Sequence, residues 1–161
     1  MDPITLEFSI PADDDGYILL QCGHCGEYFK LTAEDCENDD ILRIVCPACG
    51  LESETYLTDD VIQLALTMAD NYAMDLVNNM FKDLERNMFK DLERKSRHNS
   101  NLQFKAGKKL KHEYENPLHS GIQALEEVTF PCCHHSAKIK PLLKMTGCYC
   151  PCCGVKNYEF E

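Results

Sequence analysis

Tryptophan is absent from this chain, and no apolar run approaches the roughly 20 residues that a membrane-spanning helix needs. The opening residues Met1-Asp2-Pro3-Ile4-Thr5 show neither the basic nor the apolar region of a secretory signal. There is no glycine-rich phosphate loop, no nucleophile elbow, no H-E-x-x-H and no deaminase-type H-x-E with P-C-x-x-C. These absences argue against an enzyme, and no catalytic residue is assigned. Basic residues are also scarce, 16 Lys/Arg against 27 Asp/Glu, giving a formal net charge of −11. The deficit is concentrated in residues 1–60, where fifteen acids face two bases, whereas residues 61–161 hold twelve acids and fourteen bases. The protein as a whole therefore repels phosphate backbones, and any nucleic-acid contact needs a local basic surface.

What the sequence has in excess is cysteine, eleven in 161 residues, clustered at 22–49 and 132–153, with only Cys36 outside a pair-like group. Segments of about 30–40 residues bury too little apolar surface to fold unaided, so they call for a staple. The odd count suits metal-bound thiolates better than a complete disulfide set. A reducing, cytoplasmic location is therefore expected.

The first cluster is Cys22-Gly23-His24-Cys25-Gly26 with Cys46-Pro47-Ala48-Cys49-Gly50. Each C-x-x-C-G is a tight turn that aims two sulfurs at one ion, and its glycine permits the backbone conformation that closes the turn. Twenty residues lie between the pairs, a spacing typical of zinc sites. His24 is read as a solvent-facing turn residue. In the second cluster, Cys150-Pro151-Cys152-Cys153-Gly154 repeats the turn, with Pro131-Cys132-Cys133-His134-His135-Ser136 as its partner. Aligning Cys22 with Cys132 places His135 opposite Cys25. The expected ligands are thus Cys22, Cys25, Cys46 and Cys49 for one ion, and Cys132, His135, Cys150 and Cys153 for the other. Cys133 is the alternative second-site ligand, with His134, Cys148 and Cys152 as near substitutes. Two Zn2+ per chain are expected.

These paired turns resemble zinc ribbons of the transcription factor IIB type, over about residues 17–57 and 128–160. The resemblance implies β-hairpin knuckles around one zinc each. It also implies a role in interaction, without naming one function. The second module departs from the type where His135-Ser136 replaces the Cys-Gly pair.

Between the clusters, Thr58 with Asp59 and Asp60 reads as the start of a helix. Ile62, Leu66, Ala69, Ala73, Leu76, Met80, Leu84, Met88 and Leu92 then recur every three or four residues, one apolar stripe on a helix of some 36 residues. Residues 79–86 and 87–94 are an exact tandem copy, Asn-Met-Phe-Lys-Asp-Leu-Glu-Arg, read as a slippage duplication. Residues 96–118 read as a polar linker. Ser120 with Gln123 suggests a capping box for a short helix through Glu127. The alternating residues 4–10, then 17–20, Phe29, Leu31, 41–45 and 128–130 supply strands.

The expected fold is α+β: two small β-rich zinc ribbons at the ends, joined by a long α-helix and a polar linker. Its expected domains are residues 1–57, 58–95, 96–118 and 119–161. The expected function is a non-enzymatic adaptor that meets a protein partner, or a second copy, through the 59–94 helix. The alternative is a nucleic-acid-associated regulator that uses Arg94, Lys95, Arg97, Lys105, Lys108, Lys109 and Lys111 together with the C-terminal ribbon. No membrane or small-molecule partner is evident.

Overall fold

A computed structural model describes Thr5 and residues 7–95, 108–119, 121–122 and 124–160, with side chains left out of the description over 87–95. The chain is α+β and divides into two compact units, Met1–Glu7 with Gln63–Asn116, and Phe8–Ile62 with Pro117–Glu161. Both cysteine modules fall in the second unit, so the terminal segments expected as separate domains share one body.

That body is built on a hairpin from each module. Strand β1 (Tyr17–Gln21) pairs antiparallel with β2 (Tyr28–Thr32), and β3 (Glu126–Thr129) pairs antiparallel with β4 (Ser136–Ile139). The hairpins join side by side in the order β1-β2-β4-β3, meeting at Lys30 opposite Lys138. Tyr17 pairs with Thr32 and Glu126 with Ile139, so the two registers coincide when residue 17 is laid on residue 125. On that superposition Lys30 falls on Lys138. The junction therefore has approximate two-fold symmetry with the two lysines on its axis. The later halves of the modules repeat the relation: the Val45 amide donates to the Pro151 carbonyl at 2.8 Å, and the Tyr149 amide donates to the Pro47 carbonyl at 2.9 Å.

The inward faces of all four strands supply one core. Leu20, Phe29, Leu31, Val128, Phe130, Ala137 and Ile139 pack with Cys148 and Cys150, and Phe29, Leu31, Phe130, Ala137 and Ile139 are fully buried. Equivalent aromatic rings from the two modules receive different neighbours. Tyr56 takes Phe29 edge-on at 5.7 Å, while its counterpart Phe160 takes Phe130 edge-on at 5.5 Å. Phe130 lies where the first module has Cys22, and Ala137 lies where it has Phe29. Bulk and small residue have exchanged places with the space still filled.

Two ammonium groups facing each other across a strand pair would repel. Asp13 resolves this, its Oδ2 lying 2.7 Å from Lys30 Nζ and 2.9 Å from Lys138 Nζ, and Asp15 adds a contact to Lys138 at 2.5 Å. Burial alone would push the Asp13 carboxyl up. Its bonds to Lys30, the Tyr17 amide and Lys138 outweigh that and hold it well below the usual carboxylate range.

Helix α1 (Ala33–Glu37) follows β2 directly, with the Thr32 hydroxyl accepting the Asp35 amide as its cap. Helix α2 (Asp59–Lys95) is the long helix the sequence predicts, opening as the Thr58 carbonyl accepts the Ile62 amide. Helix α3 (Pro141–Thr146), β5 (Cys148–Tyr149) and β6 (Lys156–Asn157) complete the second module. In the other unit, residues 108–116 run extended along α2. The Asn78 side chain bonds both the amide and the carbonyl of Leu110 at 3.0 Å, and Asn71 does the same with Glu113 at 2.7 and 3.0 Å. Seven helical residues rise roughly 10.5 Å, close to three extended ones, so the two amides keep step with the strand they hold. His112 reaches Asp75 at 2.9 Å between them.

Several expectations change. Of residues 4–10, those described form no strand, and of 41–45 only Val45 makes a bridge, to Glu52. Among the described residues no helix leads to Glu127: Glu126 and Glu127 already belong to β3, because Val128 must reach the core from a paired strand. Ser120 and Gln123 lie outside the described residues. Residues 108–116 of the polar linker are tied to α2. Arg97 and Lys105 lie outside the described residues, as do the side chains of Arg94 and Lys95, whereas Lys108, Lys109 and Lys111 are exposed on the extended segment.

Asp13→Ala should destabilise the metal-loaded protein by about 3 kcal/mol, because it leaves the nearly buried Lys30 ammonium unpaired. Asp15→Ala, at a side chain 66% exposed, should cost less than about 1 kcal/mol. Urea unfolding of the two variants at neutral pH compares them.

Candidate metal centres

The two sites are built by four turns of one backbone pattern. In the first module the Cys22 amide donates to the Glu27 carbonyl and the Gly26 amide to the Cys22 carbonyl. The same pair of bonds links Cys46 with Leu51 and Gly50, and Cys150 with Val155 and Gly154. The fourth turn starts at Phe130, whose amide donates to His135 and whose carbonyl accepts the His134 amide. Gly26, Gly50 and Gly154 close their turns at φ of 72°, 72° and 74°, and His134 does so at 63°. Gly50 has a second constraint, since a Cβ there would stand 2.8 Å from the Tyr149 ring of the other module.

This pattern corrects the expected second ligand set. Cys22 corresponds to Phe130 and Cys25 to Cys133, two residues away from the alignment that paired Cys22 with Cys132. The sulfurs of Cys132, Cys133, Cys150 and Cys153 converge, as do those of Cys22, Cys25, Cys46 and Cys49. His135 falls at the Glu27 position, beyond the turn, and its Nδ1 lies 2.9 Å from Asp35 Oδ1. Cys132 therefore supplies the sulfur that Phe130 cannot. The signal for this register was present in the sequence, in Phe29-Lys30-Leu31 against Ala137-Lys138-Ile139. His24 stays outside the first group, exposed, with Nε2 3.0 Å from the Glu52 carbonyl. His134 and Cys148 join neither group, and Cys152 clusters with Asp35 and His135.

The sulfur spacings of the first group match a tetrahedral zinc, and those of the second lie within about half an ångström of it. A tetrahedral ion with Zn–S bonds of about 2.3 Å separates its sulfurs by roughly 3.8 Å. Cys22 and Cys49 stand 3.8 Å apart, and Cys25 and Cys46 3.6 Å. In the second group Cys133–Cys150 and Cys132–Cys153 are 3.3 Å apart and Cys132–Cys133 4.0 Å. All eleven cysteines are free thiols. Two four-cysteine sites that could hold zinc are thus in place.

Backbone amides donate to most of these sulfurs, but burial and neighbouring thiols still push Cys25, Cys46, Cys133, Cys150 and Cys153 up, and only Cys22 and Cys132 are lowered. Burial disfavours the Cys22 thiolate, but the amides of Cys25 and His24 and the neighbouring thiols bring its pKa down to about 7. Cys46 receives the amides of Cys49 and Ala48, yet burial dominates and its thiol is pushed up. Cys150 is pushed up by the Cys152 thiol and by burial, against the amides of Cys153 and Cys152. Cys132 sits off the turn's usual ligand position and receives a side chain instead. Burial there is outweighed by Asn157, whose Nδ2 donates to the sulfur at 3.4 Å, and by the adjacent thiols, so its pKa is lowered. Asn157 is buried and also donates to the Val155 carbonyl at 2.8 Å. A divalent ion would supply the charge that lets all four thiols of each set ionise.

Cys133→Ser should reduce the zinc retained through gel filtration from two ions per chain to one, as Cys22→Ser should. Asn157→Ala should keep both ions but weaken the second site by 10- to 100-fold, read by chelator competition, the range typical for losing a ligand's hydrogen-bond partner. Among the described residues, no helix is long and apolar enough to cross a membrane. No family model, no curated protein and no solved structure matches this chain.

Proposed function

We propose that the chain is a non-enzymatic zinc-ribbon adaptor, in which two structural zincs fix a rigid body and α2 associates with the α2 of a second copy. Four thiolates per ion fill the coordination sphere and quench its Lewis acidity, so these two ions hold structure. The observation that carries the association is the seam on α2. Ile62, Leu66, Ala69, Ala73, Leu76 and Met80 alternate steps of four and three, the repeat by which one helix meets another, and every one of them is exposed. Leu66 is 61% exposed and Met80 64%. The chain's own extended segment lies along a different line, Asn71 and Asn78, and leaves this seam open. Alanines at two consecutive seam positions would let helices approach closely.

The nucleic-acid reading has less behind it. Lys108, Lys109 and Lys111 share their segment with His112, which is turned to Asp75 of α2.

Light scattering after gel filtration should give a dimer at tens of micromolar chain, and Leu76→Asp with Met80→Asp should give a monomer that retains both zincs. A wild-type chain that stays monomeric across that range overturns the self-association. A salt-dependent shift of DNA or RNA by that monomer would move the function to the alternative.

A further inference from the structure

The fold brings together a third set of metal-binding atoms that neither four-cysteine site uses. Asp35 of α1, His135 beyond the fourth turn and Cys152 inside the last turn place one oxygen, one nitrogen and one sulfur within 4.8 Å of one another. Asp35 comes from the first module and the other two from the second, so the cluster exists only because the hairpins join. The Asp35 side chain is 11% exposed and that of His135 34%, which leaves access from one side. Each backbone is held independently: Asp35 by the Thr32 cap, His135 by its carbonyl's bond from Phe130, and Cys152 within the turn that Cys150 and Gly154 close.

We propose that Asp35, His135 and Cys152 form a third, weaker divalent-metal site, suited to Zn2+ or Co2+, whose remaining coordination position is open to water or a small anion. The donor set is that of borderline metals, and His135 would bind through Nδ1, the atom already turned to Asp35. One carboxylate and one thiolate neutralise a divalent ion, whereas four thiolates leave a net charge of −2, so this site gathers no excess charge in a half-buried place. Bonds of about 2.0–2.1 Å at a tetrahedral ion separate nitrogen and oxygen by roughly 3.3 Å. The present 2.9 Å hydrogen bond therefore has to open by only a few tenths of an ångström.

The symmetry of the fold separates this cluster from what the architecture itself requires. The positions equivalent to His135, Cys152 and Asp35 across the two-fold axis are Glu27, Ala48 and Leu143, which cannot make the same set. Glu27 instead pairs with Lys140 at 2.6 Å, an ordinary tie between the modules. A plain tie of that kind needs no sulfur beside it, whereas Cys152 stands with Asp35 and His135.

Native mass spectrometry of reduced apoprotein titrated with Zn2+ tests the proposal. Wild type should take two ions tightly and a third in excess Zn2+. Asp35→Ala and His135→Ala should each stop at two, with unchanged circular dichroism. Asp35 is the cleaner variant, since it lies far in the chain from the second module's ligands and its cap bond uses the backbone. In Co2+-loaded protein the third equivalent should add a weaker sulfur-to-cobalt absorption than either of the first two, because one thiolate contributes instead of four. Saturation of wild type at two ions overturns the third site and leaves the two-zinc reading standing. A third ion that survives Asp35→Ala overturns it too. A fall to one ion in His135→Ala would return His135 to the second zinc. Fewer than two ions in wild type would defeat the structural-zinc reading itself.

Discussion

The two four-cysteine sites rest on one constraint, which is to bring four sulfurs together while the surrounding backbone stays hydrogen-bonded. The four turns achieve this with one pattern, an amide bond forward across five residues and a carbonyl bond back across four. Amides left over from that pattern point at the sulfurs and offset part of the cost of burying their charge, enough to lower Cys22 but not Cys46. Where the pattern loses a ligand, at Phe130, two compensations appear together. Cys132 moves in as a sulfur donor, and Asn157 replaces the amides that Cys132 cannot reach. The phenyl ring thus freed for the core packs against Phe160, while Ala137 gives up the bulk that Phe29 has in the first module.

Joining the hairpins solves a problem of size. Each module by itself buries little apolar surface, but the shared sheet turns two half-cores into one that contains residues from both. The join has its own cost in charge, because the two-fold arrangement brings Lys30 and Lys138 face to face. Asp13 offsets it from a turn just before β1, and the acidic run Asp13-Asp14-Asp15 gains a structural role within a module whose overall charge is strongly negative. The same join creates the mixed Asp35, His135 and Cys152 cluster, which neither module contains alone.

On α2 two kinds of side chain divide the work. Asparagines at a seven-residue interval bond an extended stretch of the same chain through paired amide contacts, a spacing set by the match between helical and extended rise. The apolar residues from Ile62 to Met80, at alternating steps of four and three, lie elsewhere on the helix and are exposed among the described residues. The polar segment 108–116 is therefore a companion of the helix along its asparagine line, a pairing the sequence did not reveal because amide side chains leave no hydrophobic periodicity to read.

The sequence alone determined the first four-cysteine set, the α+β class, the span of α2 to within a residue and the position of its apolar seam. Each of these is local: C-x-x-C-G closes on itself, and a stripe is visible wherever 3.6-residue periodicity holds. The second ligand set was only half legible. Its later turn repeats C-P-x-C-G, but its earlier turn has His134 in a glycine's conformation and Phe130 in a cysteine's place, so sequence alignment slipped by two residues. The apolar-Lys-apolar match of residues 29–31 with 137–139 carried the right register, but it competed with the cysteine match, and the strand pairing around Lys30 and Lys138, residues 108 apart in the chain, decided between them. The tertiary structure alone united the modules, gave Asn157 to Cys132 and turned His135 to Asp35, since contacts between distant segments leave no periodic trace in either one.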